Sequence, residues 1–324
     1  MAFQDGPDPV QVMSIVPWRR LSALGVLGIN QRNADYISKY NPRHRYPLVD
    51  DKITSKALAT TNGIPVPELY GVIEIEHQIG QLPALLHDKP SFVIKPARGC
   101  GGEGILIIDS RNMQEYVCVN GHGYTGAGLS HHVSNILGGM YSLGGKPDMA
   151  LIEYRVAFDP CFDAVSHRGV PDIRTLVFRG IPVMSMLRLP TRLSRGKANL
   201  HQGAVGVGIH MRHGITRGGY WQGHAILHHP DTGNELADIA IPCWDDILCL
   251  NARCHDCTGM GFIGVDIVLD QHKGPLLLEI NARPGLSIQM ANRTGLLPRL
   301  KFIESLATLP DSLQDRMALA KSLE

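Results

Sequence analysis

The sequence predicts an α+β protein built as two or three lobes. Three observations lead there. Strand pairs closed by turn residues recur, at residues 172–189 and 264–281. The apolar segments 91–96 and 104–108 are strands joined by a glycine loop. No complete strand–helix–strand unit is visible in residues 10–48. A chain of 324 residues can bury a large core and hold more than one lobe. Hydrophobic residues at 44% and charged residues at 19% are ordinary for a soluble globular protein. A net charge of +1 gives no reason to expect nucleic acid or a membrane surface as the main partner. No apolar run reaches the length of a membrane span, and Met1 to Pro9 is polar, without a signal-peptide core. Seven cysteines without framework spacing suit a reducing cytosol.

In chain order, residues 10–48 read as a short helical head carrying Arg19, Arg20, Arg32, Arg43 and Arg45. Val49 to Asn62 is a helix with acids at its start and Asn62-Gly63 at its end. Ile64 to Pro67 is extended. Residues 119–147, rich in Gly, His and Ser with little periodicity, read as a long surface or lid insertion. Residues 150–154 are a strand. Asp172 to Phe178 and Ile181 to Leu189 form a hairpin around Arg179-Gly180. Residues 191–224 are a polar, Gly-rich stretch. Trp244 to Thr258 is a helix leading into the 264–281 hairpin, and 300–324 is an amphipathic helical tail.

The last hairpin carries the most chemistry. Glu279 and Asn281 are two apart, so on a strand they share a face. If Leu269 pairs with Leu276, Asp266 lies opposite Glu279, and three oxygen donors converge. Carboxylates that close repel unless a cation joins them, and oxygen-only ligands favour Mg²⁺ over zinc. The competing reading is a strand pair with one solvated polar face. The loop Arg98 to Gly104 matches G-x-G-x-x-G through Gly99, Gly101 and Gly104, yet a strand follows it where a dinucleotide site needs a helix. It is either a flexible hairpin or a flap whose N–H groups cover phosphates. Lys95, in the apolar run Phe92-Val93-Ile94, either meets an anion or snorkels from an edge.

Other clusters carry less. Cys249, Cys254, Cys257 and His255 lie on one helix and do not focus on a point as zinc ligands must. His131-His132 and His228-His229 read as solvated loop residues, and Cys100 as a small loop residue. No Ser/His/Asp or Cys/His nucleophile arrangement is readable.

Asp51-Lys52, Lys95-Pro96, the 98–104 loop, Glu153-Tyr154, Asp172-Ile173-Arg174, Asn199-Leu200-His201, Asp266 and Glu279-Ile280-Asn281 occur in an order that resembles the ATP-grasp ligases. Within them the chain is most similar to the RimK-type α-L-glutamate ligases and their related branch, from about residue 49 to 298. The resemblance implies two α+β lobes gripping ATP, with a small lid carrying the glycine loop. After a short N-terminal segment at 1–48, it implies an ATP-grasp core at 49–90 and 149–300, a lid at 91–148 and a helical tail at 301–324.

The resemblance also assigns roles. Lys52 and Lys95 match lysines that contact ATP phosphates, under the flap of Gly101, Gly102 and Gly104. Glu153 matches an acid beside the adenine, with main-chain groups of Tyr154, Arg155 and Val156 along the adenine edge. Asp266, Glu279 and Asn281 match ligands for Mg²⁺, two ions with Mn²⁺ as a substitute. Arg174 faces the transferring phosphate, and Asn199 and His201 fall in the substrate loop. Arg283 either clamps a substrate carboxylate or makes a surface salt bridge. Lys197 reads as a solvated loop lysine that can add positive charge.

The implied activity is an ADP-forming, cytoplasmic ligase. It joins a small-molecule or peptide carboxylate to an amino acid, glutamate being the family's choice. The alternatives are an ATP-grasp kinase and a nucleotide-binding regulatory module. Homo-oligomers and a partner protein stay open. Three departures bear on the acceptor: a reduced N-terminal segment, Gln202 where relatives are positive, and Arg283 where they have a small polar residue.

Overall fold

The computed structural model describes residues 18–99, 101–112, 115–119 and 121–323. The polar N-terminus, the start of the helical head and Cys100 lie outside the described residues. Thirteen strands are described: β1 (Leu69–Ile73), β2 (Phe92–Pro96), β3 (Leu106–Arg111), β4 (Tyr116–Cys118), β5 (Gly123–Tyr124), β6 (Ala150–Glu153), β7 (Asp172–Phe178), β8 (Ile181–Leu189), β9 (Val205–Ile209), β10 (Thr216–Trp221), β11 (His224–Ile226), β12 (Phe262–Asp270) and β13 (Gly274–Asn281). They form two antiparallel sheets, a six-stranded one in the order β1-β6-β2-β3-β4-β5 and a seven-stranded one in the order β11-β10-β9-β8-β7-β12-β13. With the helices this is the α+β, ATP-grasp class that the motifs imply.

The smaller sheet has its own core, from Ile73 through Leu82 and Phe92 to Ile152. β1 and β6 complete this sheet, so the smaller lobe takes in strands on both sides of residues 91–148. Residues 119–147 are more ordered than their composition suggests. Residues 126–137 form a helix, capped by Thr125 Oγ accepting from the Gly128 N–H. Leu129, Val133, Ile136 and Leu137 bury one face of it, the spacing of an amphipathic helix.

The larger sheet is covered by the helix Trp244–Thr258 on one face and extended by two C-terminal helices, Leu297–Ser305 and Leu313–Ser322, where one tail was expected. β7 and β8 turn through Arg179 and Gly180, both at positive φ (50° and 83°), which matches the twist of a tight hairpin. The polar stretch 191–224 contains β9 and β10. Every residue of Val205-Gly-Val-Gly-Ile is buried, and a side-chain carbon on Gly208 would come 2.8 Å from the Ala291 carbonyl oxygen. The glycines there admit a helix backbone rather than mark a loop.

The N-terminal segment completes the larger core. Tyr36 and Tyr40 stack edge-on to Phe178, at 5.6 and 4.9 Å between ring centres. Such pairs contribute about 1 kcal/mol each beyond burial. Asn41 Nδ2 donates to the Phe262 and Ala282 carbonyls, and its Oδ1 accepts from the Phe262 N–H, stitching the segment to β12 and the end of β13.

Candidate active site

A cleft of about 950 Å³ opens between the two sheets. Two buried charge clusters lie along it. The first starts from strand register. Val93 pairs with Glu153, which puts Lys95 one diagonal step away on the same face. Lys95 Nζ lies 2.5 Å from Glu153 Oε1. Lys56 lies one turn beyond Lys52 on the helix Lys52–Thr61, which Asp51 caps by accepting from the Ile53 and Thr54 N–H groups. Its ammonium donates to Glu153 Oε2 and to the Pro67 carbonyl, both at 2.5 Å. All three groups are more than nine-tenths buried. Burial alone would raise the Glu153 carboxyl, but Lys95 and Lys56 more than offset it and hold it below the ordinary range. Burial lowers the Lys56 ammonium, against the pull of Glu153. The node holds two ammonium groups and one carboxylate, so it carries surplus positive charge.

Lys95 therefore has its anion and does not snorkel. Both oxygens of Glu153 go to lysines. Lys52 Nζ donates to the Gly99 carbonyl at 2.8 Å, under the glycine loop. Lys56 was missed in the sequence. The i, i+4 spacing from Lys52 puts both on one helix face and was the available signal.

The second cluster spans β8, β7, β12 and β13. Asp266 pairs with Arg174 on one side and Glu279 on the other. The pairing expected between Leu269 and Leu276 does not form. Leu269 faces Pro275, and a bulge at Leu278 restores Asp266 opposite Glu279. Arg174 grips Asp266 with two hydrogen bonds, from Nε and Nη2. Arg188 Nη2 reaches Asp266 Oδ2 at 2.9 Å, and its Nε and Nη2 reach Asp172 at 2.5 and 2.7 Å. Burial pushes Asp172 up to about 6, with Arg188 opposing and Asp266 adding to the rise. Burial acts on Asp266 too, but Arg174 and Arg188 outweigh it and hold that carboxyl low. Arg188, inside an apolar strand, obeys the rule that singled out Lys95 and was overlooked.

A hard cation fits this second cluster. Glu279 is half-buried and, among the described residues, has no hydrogen-bond or ion-pair partner. Asn281 Nδ2 lies 3.5 Å from Asp266 Oδ2. No three His, Cys, Asp or Glu of the described residues form a metal group by themselves, so the set depends on the asparagine oxygen. Asp266 must release a guanidinium to take an ion.

The segment between the clusters is pinned by Asp270. Its Oδ2 accepts from the Tyr154 hydroxyl at 2.9 Å and the Ala157 N–H at 2.8 Å, while Oδ1 accepts from the His272 and Lys273 N–H groups. The Tyr154 N–H donates to the Glu68 carbonyl at 2.8 Å. That donor is used, while Tyr154, Arg155 and Val156 all line the cleft. Burial and the Asp270 bond push the Tyr154 phenol up to about 12.

Gly101 and Gly102 line the cleft at φ 64° and 75°. The Gly101 carbonyl accepts from Gln202 Nε2 at 3.1 Å, and Lys197 pairs with Glu103 at 3.0 Å. The loop thus meets the 197–202 segment across the opening. Gly104 stands behind the cleft lining. A side-chain carbon there would come 2.5 Å from the Tyr141 ring, and its carbonyl lies 3.0 Å from His132 Nε2. His132 is therefore a helix residue anchoring the loop rather than a solvated one. His229 is also buried, with Nε2 3.1 Å from the Pro190 carbonyl. Asn199 and His201 line the cleft, Asn199 Oδ1 accepting from the His201 N–H at 3.0 Å. Arg283 is not brought to the cleft. It pairs with exposed Asp50 at 3.2 Å and lies over the Tyr46 ring, the surface salt bridge of the two readings.

Comparisons with known proteins follow the geometry. No curated protein matches the sequence. Solved structures similar to it include the ATP-grasp ligase PsnB complexed with minimal precursor, at 12% identity and TM-score 0.44, covering 87% of this chain and 63% of that one. The chain thus spans less than two thirds of the PsnB chain. D-cycloserine synthetase DcsG is similar at 14% identity and TM-score 0.43, covering 87% and 73%. D-alanine–D-alanine ligase from Bacillus anthracis is similar at 14% identity and TM-score 0.42, covering 86% and 69%. The model of the sugar-transfer associated ATP-grasp family matches residues 31–305, from the helical head to the end of the first C-terminal helix, and the chain belongs to that family.

Proposed function

We propose that this protein is an ATP- and Mg²⁺-dependent, ADP-forming ligase that joins a carboxylate to an amine. One observation carries the reading. Lys52, Lys95 of the lysine node, and a cluster of oxygen donors line the same cleft as the glycine loop. That pairing suits a polyphosphate, with ammonium groups at one end and oxygen donors that would hold a hard cation at the other.

Lys95 and Lys52 bind the phosphates, and Glu153 positions Lys95, with Lys56 buried behind it. Arg155 and Val156 present main-chain groups to the base, and Gly101 and Gly102 cover the phosphates. Asp266, Glu279 and Asn281 hold the metal, where Mg²⁺, or Mn²⁺ in its place, neutralises phosphate charge.

In the first step a carboxylate oxygen of the substrate attacks the terminal phosphorus. The bond from that phosphorus to the bridging oxygen breaks and ADP leaves. In the second step the amine nitrogen attacks the acyl carbon, phosphate leaves and the nitrogen gives up a proton. Arg174, freed from Asp266, stabilises the negative charge spreading over the transferring group. Asn199 and His201 stand where the acyl group and amine meet. The smaller lobe serves as the lid. An amino acid is the amine we favour, with glutamate first on the RimK-type resemblance, and the cysteine usage suits a reducing cytosol.

ADP release with Mg²⁺-ATP is measured against a panel of amino acids and acidic peptides, for wild type and Glu279→Ala. Amine-dependent release lost in the variant is expected. Release that needs no amine and yields a phosphorylated product stable to hydroxylamine would make the protein a kinase. Absence of ATP binding would sink the reading.

A further inference from the structure

The basic groups at the outer end of the cleft do not all find acids. Arg174 and Arg188 share Asp266 and Asp172. Lys197 has Glu103 at 3.0 Å, and Arg192 has Asp231 at 4.0 Å. Arg168 and Arg195 remain. Both line the cleft, and among the described residues no carboxylate lies within ion-pair distance of either.

These two arginines are placed together by the backbone. One loop runs into β7 and the other leaves β8, and Asp172 pairs with Arg188, so both loops sit at one end of that hairpin. They cross at Gly169 and Gly196. A side-chain carbon on Gly169 would come 2.1 Å from the Gly196 carbonyl oxygen, and one on Gly196 would come 2.2 Å from the Arg168 carbonyl oxygen. Only two bare backbones fit that crossing. Arg168 and Arg195 each precede a crossing glycine, and each has left-handed backbone, with φ 43° and 53°. That conformation costs a residue with a side chain on the order of 1 kcal/mol. Both side chains are exposed at the cleft, so an anion entering there meets two guanidinium groups without a carboxylate partner. Two guanidinium forks are well matched to one carboxylate or phosphate.

We propose that Arg168 and Arg195 form a subsite for an anionic group of the second substrate, distinct from the carboxylate that reacts. The substrate is then a dianion or polyanion, a dicarboxylate or a phosphorylated acid. This rests on the proposed ligase reading. The reacting carboxylate meets Arg174, and the second anion is held at the mouth by the two loops. Such a contact anchors the remote end of the substrate and orients its reacting end.

The test is calorimetry on the full chain with three probes: acetate, tricarballylate and phosphonoacetate. Each is titrated with the nucleotide site filled by Mg²⁺ and a non-hydrolysable ATP analogue, and again without nucleotide. At least one polyanion is expected to bind about tenfold tighter than acetate. Arg168→Gln/Arg195→Gln should lose that gain while binding the analogue within about twofold of wild type. Arg212→Gln/Lys301→Gln, two exposed charges away from the cleft, controls for net charge. Arg168→Lys/Arg195→Lys keeps charge without the fork and should fall between. Tricarballylate alone gaining points to a polycarboxylate, and phosphonoacetate alone to a phosphorylated acid. Equal binding of acetate and both polyanions overturns the proposal, as does equal loss in the control. Failure of the ATP analogue to bind counts against the ligase reading, and the titrations without nucleotide still decide the subsite.

Discussion

The two charge clusters of the cleft are built on opposite principles. The hinge node sets two point-like ammonium groups around one carboxylate, Lys56 and Lys95 on Glu153. The ladder sets two planar guanidinium groups against two carboxylates, Arg174 and Arg188 on Asp266 and Asp172. The node is in excess and can accept an anion without giving anything up. The ladder is balanced and can take a cation only by exchange, because a metal at Asp266 competes with Arg174 for the same oxygens. On the proposed reading, one region is ready for phosphates, and the other would release an arginine on taking a metal.

Removing the single carboxylate of the node should break the comparison most visibly. In Glu153→Gln two buried ammonium groups face each other with no anion, a loss of about 3–5 kcal/mol by urea denaturation. Added ATP should raise the variant's midpoint more than the wild type's, since phosphate oxygens replace the lost charge. The low carboxyl of Glu153 sets the sign with pH: its stabilisation is present above the ordinary carboxylate range and is lost as pH falls through its lowered value. A loss under about 1 kcal/mol would mean the node is not the buried ion cluster described.

Exchange at the ladder is the second test. Asp266→Asn keeps the shape but removes the oxygen charge that metal and Arg174 share. ADP formation should fall about a hundredfold or more, and the Mg²⁺ concentration for half-maximal rate should rise. Unchanged magnesium dependence would place the metal elsewhere.

Within the ladder, Asp172 should respond to pH in the opposite sense to Glu153 of the node. Asp172 is pushed from 3.8 to about 6, so the folded state holds its proton more tightly than the unfolded chain. Stability from this group is present below the unfolded value and is lost as pH rises from 3.8 to about 6. The wild type should lose on the order of 2 kcal/mol relative to Asp172→Asn across that window, read from urea midpoints. Parallel midpoints would remove the contrast between the clusters.

What the sequence made legible follows the same physics. Hairpins with β-branched runs and turn residues, such as 172–189, were readable because pattern and turn chemistry agree. Residues 126–137 and 205–209 were not, because glycine, histidine and serine dilute the pattern. Gly206 and Gly208 are small for a reason across the sheet, where residues 288–292 pack. Asp266 opposite Glu279 was right although the assumed register was not, since the bulge at Leu278 offsets it by one residue. Local rules found Lys95 by its apolar strand. The same rule applied to Arg188 would have found the ladder. Nothing local distinguishes Lys52 from Lys56, because only the tertiary placement of their helix decides which ammonium meets Glu153.

Arg283 gives the smallest expected effect and the sharpest boundary. Arg174 and Arg283 both look like anion clamps in the sequence, yet Arg174 is largely buried on Asp266, and Arg283 is over half exposed beside a half-exposed Asp50. An exposed pair contributes only a few tenths of a kcal/mol because water screens it and two side chains lose freedom. Stacking over Tyr46 at 5.2 Å adds a contribution of similar size. Arg283→Ala should therefore keep ADP formation within about twofold and shift the urea midpoint slightly. Arg174→Ala should lose about a hundredfold, because it leaves Asp266 short of a partner and removes the charge freed for the phosphate. A tenfold loss in Arg283→Ala would move the substrate end of the cleft toward β13, away from the loop crossing at Gly169 and Gly196, since one substrate cannot rest its remote anion on both.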